Sequence, residues 1–243
     1  MATSPRQGPE SDTFDAAVAR LTAATHPGDD LCAPFVGVTG VAGAALSTLG
    51  RPLGSQTVCA SNAVAARIDE IQIDLGEGPC WEALSTRHPV LESDIQRGGG
   101  SNWPAAREAF RSLRIGALFA FPMHVGDLSV GSVDLFSHTA RPLAPALVED
   151  VSVLASIAAH QVLRRVLQDL DSADEGMSEG PYSRREMHQA SGMIAAQLRI
   201  GVDDALVVLR AHAFSSGRTV RAVAVDVIAR RITFDNPPRD LQS

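Results

Sequence analysis

The stretch RREMHQASGMIAAQLRIGVDDALVVLRAHAFSSGRTVRAVAVDVIARRITF, residues 184–234, decides how the chain divides. Met187, Ala190, Ile194 and Leu198 recur at intervals of three and four residues, so they share one helical face. Gly201 breaks that run, and Asp203 or Asp204 opens a second helix, where a carboxylate meets free amide donors. Ala205, Leu206, Leu209 and Ala213 point inward along it, and Ser215-Ser216-Gly217 stops it. Thr219 caps a third helix whose apolar face is Val220, Val223, Ala224, Val227 and Ile228. Pro237-Pro238 ends regular structure. Short loops make the three helices pack antiparallel or at an angle, and a unit of roughly 50 residues is marginal alone.

Charge separates this unit from the rest. From Pro181 onward nine arginines face six acids, a balance of +3, while the preceding residues carry twelve arginines against twenty-two acids. Arg184, Arg185, Arg210, Arg218, Arg221, Arg230 and Arg231 form the basic set. Arginine forks suit phosphates and base edges, and a solvated, salt-bridged helical surface is the other reading of the same charges.

The motifs add specificity. The stretch HQASGMIAAQLRIGVDDALVVLRAHAFSSGRTVRAVAVDVIARRI closely resembles the ANTAR domain, an RNA-binding antitermination module. The family's Ala-x-Gly in helix one is matched by Ala190-Ser191-Gly192. Its Ala, Leu-Arg and Ala in helix two are matched by Ala205, Leu209-Arg210 and Ala213. Its Val-Ala pair in helix three is matched by Val223-Ala224. The residue between Ala190 and Gly192, often lysine in the family, is Ser191, so helix one has no central cation. The resemblance implies that RNA hairpins in nascent transcripts are the partner. It points to Ala190, Ser191, Gly192, Arg210, Phe214 and the basic set as the RNA-facing residues. Ala190, Gly192, Ala213 and Ala224 permit close approach, either of RNA or of helix on helix. Phe214 is expected in the core, with stacking on an RNA base as its other role.

Composition sets the frame. The 243 residues suffice for one large or two modest domains, with 45% apolar content and a net charge of −7. All 21 basic residues are arginine. Cys32, Cys59 and Cys80 are far apart in sequence and form no CxxC or metal spacing, so each is expected to be a buried structural thiol. With no signal peptide and no apolar run approaching a membrane span, a reduced cytoplasmic protein is expected.

Residues 1–12 are expected to be disordered and Thr13 to begin a helix with Phe14, Val18 and Leu21 on one face. Val36, Val38 and Val41, then Ala45 and Leu46, read as a buried strand with a bulge or turn near Gly43. Gln56–Ala60 is a second strand, and Ser61 caps a helix to about Ile71. Pro79 starts a short helix, Pro89-Val90-Leu91 is a short strand, and Trp103-Pro104 begins another helix. Residues 115–125 and 128–137 form a hairpin about Gly126-Asp127. A long helix from Pro145 to about Leu170 suggests a dimer coiled coil or a signalling helix, followed by an acidic hinge over 169–183.

This order predicts an α+β domain, an antiparallel sheet with helices, joined by the long helix to the all-α three-helix unit. DLGEGPCWEAL, SNWP and FPMHVGDLSVGSVDLFS resemble a GAF domain over residues 13–168, as in the GAF–ANTAR antitermination regulators of actinobacteria. The domains expected are thus a disordered 1–12, GAF at 13–168, a hinge at 169–183, ANTAR at 184–234 and a tail at 235–243. The resemblance implies a homodimer and a small-molecule ligand without naming it. Trp81, Asp94, Trp103, Phe119 and Phe121 are the pocket candidates, with both tryptophans in the core as the alternative. No cofactor, metal set or membrane association is expected. Glu77, Cys80, His88 and Asp94 are the nearest approach to a catalytic set, and nothing in their spacing makes them converge, so no enzyme is expected. A DNA-binding regulator with a helix-turn-helix outline and a ligand-sensing dimeric protein-interaction module are the competing functions.

Overall fold

The computed structural model describes residues 9–26, 28–97, 102–174 and 184–234. The chain forms two compact units, Met1–Ser178 and Glu179–Ser243. The first contains α1 (Pro9–Ala23), α2 (Ala33–Thr39), β1 (Gly43–Thr48), β2 (Gln56–Ala60), α3 (Ala63–Leu75) and α4 (Pro79–Thr86). It continues through β3 (Val90–Glu92), α5 (Pro104–Arg111), β4 (Ala117–Val125), β5 (Leu128–Ser137) and α6 (Pro145–Asp174). The second contains α7 (Arg184–Leu198), α8 (Val202–Ser215) and α9 (Val220–Ile228).

The strands form one sheet in the order β2-β1-β5-β4-β3, with every neighbouring pair antiparallel. Alternation along the strands sorts their side chains. Phe119, Phe121 and Met123 of β4, with Val133 and Leu135 of β5, pack toward α1, α2 and α6. Leu118 and Phe136 point the other way, among Ile68 of α3, Phe110 of α5 and Trp103. Gly131 is needed where β5 meets β1, because a Cβ there would lie 1.8 Å from the Ser47 carbonyl oxygen.

Several boundaries differ from expectation. Residues 9–12, expected to be disordered, open α1, while 1–8 lie outside the described residues. The strand expected from Val36 is divided. Ala33–Thr39 is helical, started by Pro34 in its first turn and ended by Gly40 in the left-handed conformation (φ 60°), and only Gly43–Thr48 is strand. Asn62, not Ser61, caps α3, its side chain accepting from Ala65 N at 2.9 Å. Helix α6 runs on to Asp174 through the first part of the expected hinge. Residues 175–183 and the tail at 235–243 lie outside the described residues.

Over Pro145–Gln168, α6 is long and apolar enough to cross a membrane by length and composition, which corrects the sequence reading of the chain's apolar runs. In this fold its Val151, Leu154, Ala158 and Val162 are buried in the core beneath the sheet. Arg165 Nη2 donates to Asp29 O at 2.7 Å, and Gln161 Nε2 donates to Thr22 O at 3.2 Å, tying α6 to the α1–α2 segment.

The second unit is built round small and β-branched residues. Ala190, Ile194, Ala205, Leu209, Ala213, Val220, Val223, Ala224 and Val227 are all buried together. The left-handed residue ending α7 is Arg199 (φ 57°); Gly201 has extended backbone and caps α8, with Asp203 and Asp204 in the first turn. Gly217 (φ 63°) turns the chain after α8, and Thr219 Oγ1 accepts from Ala222 N at 3.1 Å to cap α9.

Candidate nucleic-acid interface

The turn from α8 to α9 sets the geometry of the basic residues. Arg218 N donates to Ala213 O at 3.0 Å, folding the chain back onto the last turn of α8. Arg218 and Phe214 therefore leave the same corner of the unit. Arg218 Nη2 reaches Asp226 Oδ2 at 2.5 Å and Arg231 Nε reaches Asp226 Oδ1 at 2.6 Å, so one carboxylate gathers two guanidinium groups. Hydrogen bonds from Arg218 and Arg231 hold the Asp226 carboxyl below the usual carboxylate range. Arg221 Nε donates to Glu186 Oε2 at 2.8 Å, linking α9 to α7. Arg230 is exposed in the left-handed conformation (φ 56°), with no ion pair among the described residues. Arg210 is half-buried on α8. Arg184 and Arg185 lie in the first turn of α7, and their side chains fall outside the described residues.

Phe214 overturns the expectation that it joins the core: it is 64% exposed. The ring that packs against the core is the half-buried Phe234, which meets His212 edge-on with centroids 5.3 Å apart. Val207, two helical turns before Phe214 and on the same side of α8, is 62% exposed. The outer surface of α8 thus carries apolar area and a ring that stacks on flat partners, beside concentrated positive charge.

The Ala190-Ser191-Gly192 triplet does not act as one surface. Ala190 is fully buried and Ser191 is 2% exposed, its hydroxyl donating to Met187 O at 2.8 Å. Only Gly192 is exposed, and a Cβ added there would meet nothing within 4 Å. Side chains inside the core cannot touch RNA, so Ala190 and Ser191 serve helix packing and Gly192 alone remains available to a ligand.

The five pocket candidates of the first unit are not brought together. Phe119 and Phe121 face α1, α2 and α6, whereas Trp103 lies on the opposite side of the sheet. Alternation explains this: both phenylalanines occupy positions of one parity, and that parity faces α6. Trp103 Nε1 donates to Glu82 Oε2 at 2.6 Å, and the Arg107 guanidinium lies 5.0 Å from its ring centroid. Trp81 Nε1 donates to Gln72 O at 2.8 Å, and Asp94 Oδ1 accepts from Arg97 N at 3.1 Å. Residues 98–101 of the glycine-rich loop lie outside the described residues.

Sequence distance concealed other groupings. Cys32 and Cys59 come together across the fold, and the neighbouring Cys59 together with burial pushes the Cys32 thiol up. Cys80 is buried, which also raises its thiol. Asp226 is a residue that sequence reasoning missed, although its position between Arg218 and Arg231, five residues before the latter, marked it as a partner. Asp69, Gln72 and Asp134 form a buried polar group; the polar Ser132 and Asp134 alternating within an apolar strand were its visible signal.

Residues 177–228 match the ANTAR domain. No curated protein matches the chain. Among solved structures, the chain is similar to the GAF domain of a phosphoenolpyruvate-protein phosphotransferase from Coxiella burnetii, with 10% identity over 66% of this chain and 96% of that one and a TM-score of 0.53. It is similar also to the GAF domain of the Acinetobacter phosphoenolpyruvate-protein phosphotransferase, with 12% identity, coverage of 65% and 95%, and a TM-score of 0.50. At these identities the likeness is one of fold: the five-stranded sheet with its helices is a GAF fold, and an ANTAR domain follows it.

Proposed function

We propose that this chain, a GAF fold followed by an ANTAR domain, is an RNA-binding antitermination regulator whose C-terminal helices grip RNA hairpins under control of the first domain. The observation that carries this reading is the exposed Phe214 beside Arg218, on a corner where Asp226 also gathers Arg231. A hairpin offers what this corner takes. Its unstacked loop bases stack on an aromatic face, and its phosphates accept from arginine forks. Two such units, paired through the first domain as a homodimer in the cytoplasm, engage neighbouring hairpins in a nascent transcript and keep a terminator from forming. A small molecule acting on the first domain changes the placement of α6 and so the alignment of the pair. Arg221 of α9 and the flanking Arg218, Arg230 and Arg231 also suit a duplex-DNA groove, but an exposed aromatic ring has no stacking partner in intact duplex.

Sequencing the RNA that co-purifies with the full chain from its native cell tests this reading. Enrichment of leader segments with tandem stem-loops ahead of a terminator is expected. Recovery of RNA in proportion to its cellular abundance would contradict it.

A further inference from the structure

Between α3 and the sheet lies a polar group unrelated to the nucleic-acid interface. Ser47 of β1 pairs in register with Thr57 of β2 and Ser132 of β5, so three hydroxyl residues face one another across adjacent strands. Asp134, two residues along β5, shares that side of the sheet. Asp69 and Gln72, three residues apart on α3, descend onto it. All six side chains are buried.

The hydrogen bonds leave the group short of protons if both acids are charged. Thr57 Oγ1 donates to Asp69 Oδ2 at 2.5 Å. Asp69 Oδ1 and the neighbouring Ser47 Oγ have no hydrogen-bond partner. Gln72 Oε1 accepts from Cys80 N at 2.9 Å, which orients the amide so that its Nε2 donates to Asp134 Oδ2. Ser132 Oγ lies 3.2 Å from Phe121 O and 3.1 Å from Asp134 Oδ1. That hydroxyl carries one proton. When it goes to the carbonyl, which can only accept, the second contact requires a proton on Asp134.

Among the described residues no cation offsets this charge. Besides each other, the titratable groups that interact with the pair are Glu70, beside Asp69 on α3, the Cys80 thiol of α4 and the Cys32 thiol before α2. β1 and β2 contribute only Ser47 and Thr57, and no arginine or histidine acts on either acid. Burial, with the adjacent Asp69 adding to it, pushes Asp134 up to about 8 against the hydrogen bonds of Gln72 and Ser132. Burial pushes Asp69 up to about 6 against the hydrogen bond from Thr57.

We propose that Asp69 and Asp134 form a proton-holding pair that makes the packing of α3 and α4 on the sheet depend on pH. Gln72 is the transmitting residue. Its side chain joins Asp134 to the start of α4, and its carbonyl oxygen holds Trp81. Ionising the second acid puts two negative charges in one buried space, which weakens the seat of α3 and α4.

Linkage fixes the direction. An unfolded aspartate loses its proton near pH 4, whereas the folded pair keeps it, so stability is greatest at low pH and falls as pH rises. The folded pair holds two extra protons up to about pH 6 and only one from there to about pH 8, above which the loss levels off. Each held proton changes the folding equilibrium about tenfold per pH unit.

Denaturant unfolding of the full chain, followed on the first domain from about pH 5 to about pH 9, tests the pair against Asp134→Asn. The amide matches the neutral acid in shape and keeps hydrogen-bonding partners. The wild-type folding constant, divided by that of the variant, is expected to fall about tenfold per unit between about pH 6 and 8. The infrared band of a protonated carboxyl group is expected in the wild type at about pH 7, where Asp134 alone keeps its proton, lost at the alkaline end, and absent from the variant at about pH 7. A ratio that stays constant with pH would overturn the proposal. If the variant does not fold, the wild-type band decides: absence at the acid end overturns the pair, and its loss with rising pH supports it.

Discussion

Replacing Arg218, Arg230 and Arg231 together with alanine is expected to weaken hairpin binding by about a hundredfold or more at low salt, and to flatten its salt dependence. Each phosphate contact releases counterions, so removing three cations lowers the slope of log affinity against log salt by about two to three. The single substitutions are expected to differ. Arg218 and Arg231 already engage Asp226, and each must loosen that contact to meet a phosphate. Arg230 has no ion pair to give up among the described residues, so Arg230→Ala costs more than either of the others alone. Fluorescence titrations at several salt concentrations, with circular dichroism to confirm folding, measure both effects. An unchanged slope in the triple variant would mean that these arginines serve only the protein surface.

The Leu209→Ala variant is expected to unfold the second unit while leaving the sheet of the first intact. Leu209 is fully buried among short side chains, with Ala190, Ala205, Ala213 and Ala224 in the same core. A Leu-to-Ala cavity costs about 2–5 kcal/mol, because surrounding side chains collapse only partly into it. A helical unit of roughly 50 residues has little more stability than that to lose. Amide hydrogen exchange on the full chain resolves the two units. Protection across 184–234 is expected to vanish while β1, β4 and β5 keep theirs. Wild-type protection in α7–α9 would show that this core does not depend on Leu209.

Much of this architecture could be read from the sequence where periodicity and end signals agree. The α7–α9 unit was legible because its apolar spacing, the Gly201 and Gly217 breaks and the Thr219 cap all point to three helices. The β4–β5 hairpin was legible from alternation about Gly126-Asp127. The apolar run near Val36 was not, because a short buried helix and a buried strand have the same composition; Pro34 and Gly40 decide for helix. The site was harder to read. Arginine identity gave the charge, but pairing with Asp226 and Glu186 is a tertiary fact. The small residues of a helix match do not reveal which of them face inward, so Ala190 and Ser191 were misplaced beside Gly192. The half-buried Phe234 packs against the core only because the chain returns there, with Phe234 N donating to Gln197 Oε1 at 2.9 Å, a tertiary fact that spacing along α8 does not show. The acid pair was invisible because Asp69 and Asp134 lie far apart in sequence and meet only when α3 crosses the sheet.

The grip of the C-terminal helices on folded RNA is tested most directly by titrating the purified full chain against a stem-loop RNA and a DNA duplex of equal stem length, at one low salt concentration. Tighter binding to the stem-loop, reduced by Phe214→Ala and declining steeply as salt is raised, is the predicted result. Equal or tighter binding to the duplex, or no binding to the stem-loop while α7–α9 remain folded, would contradict it.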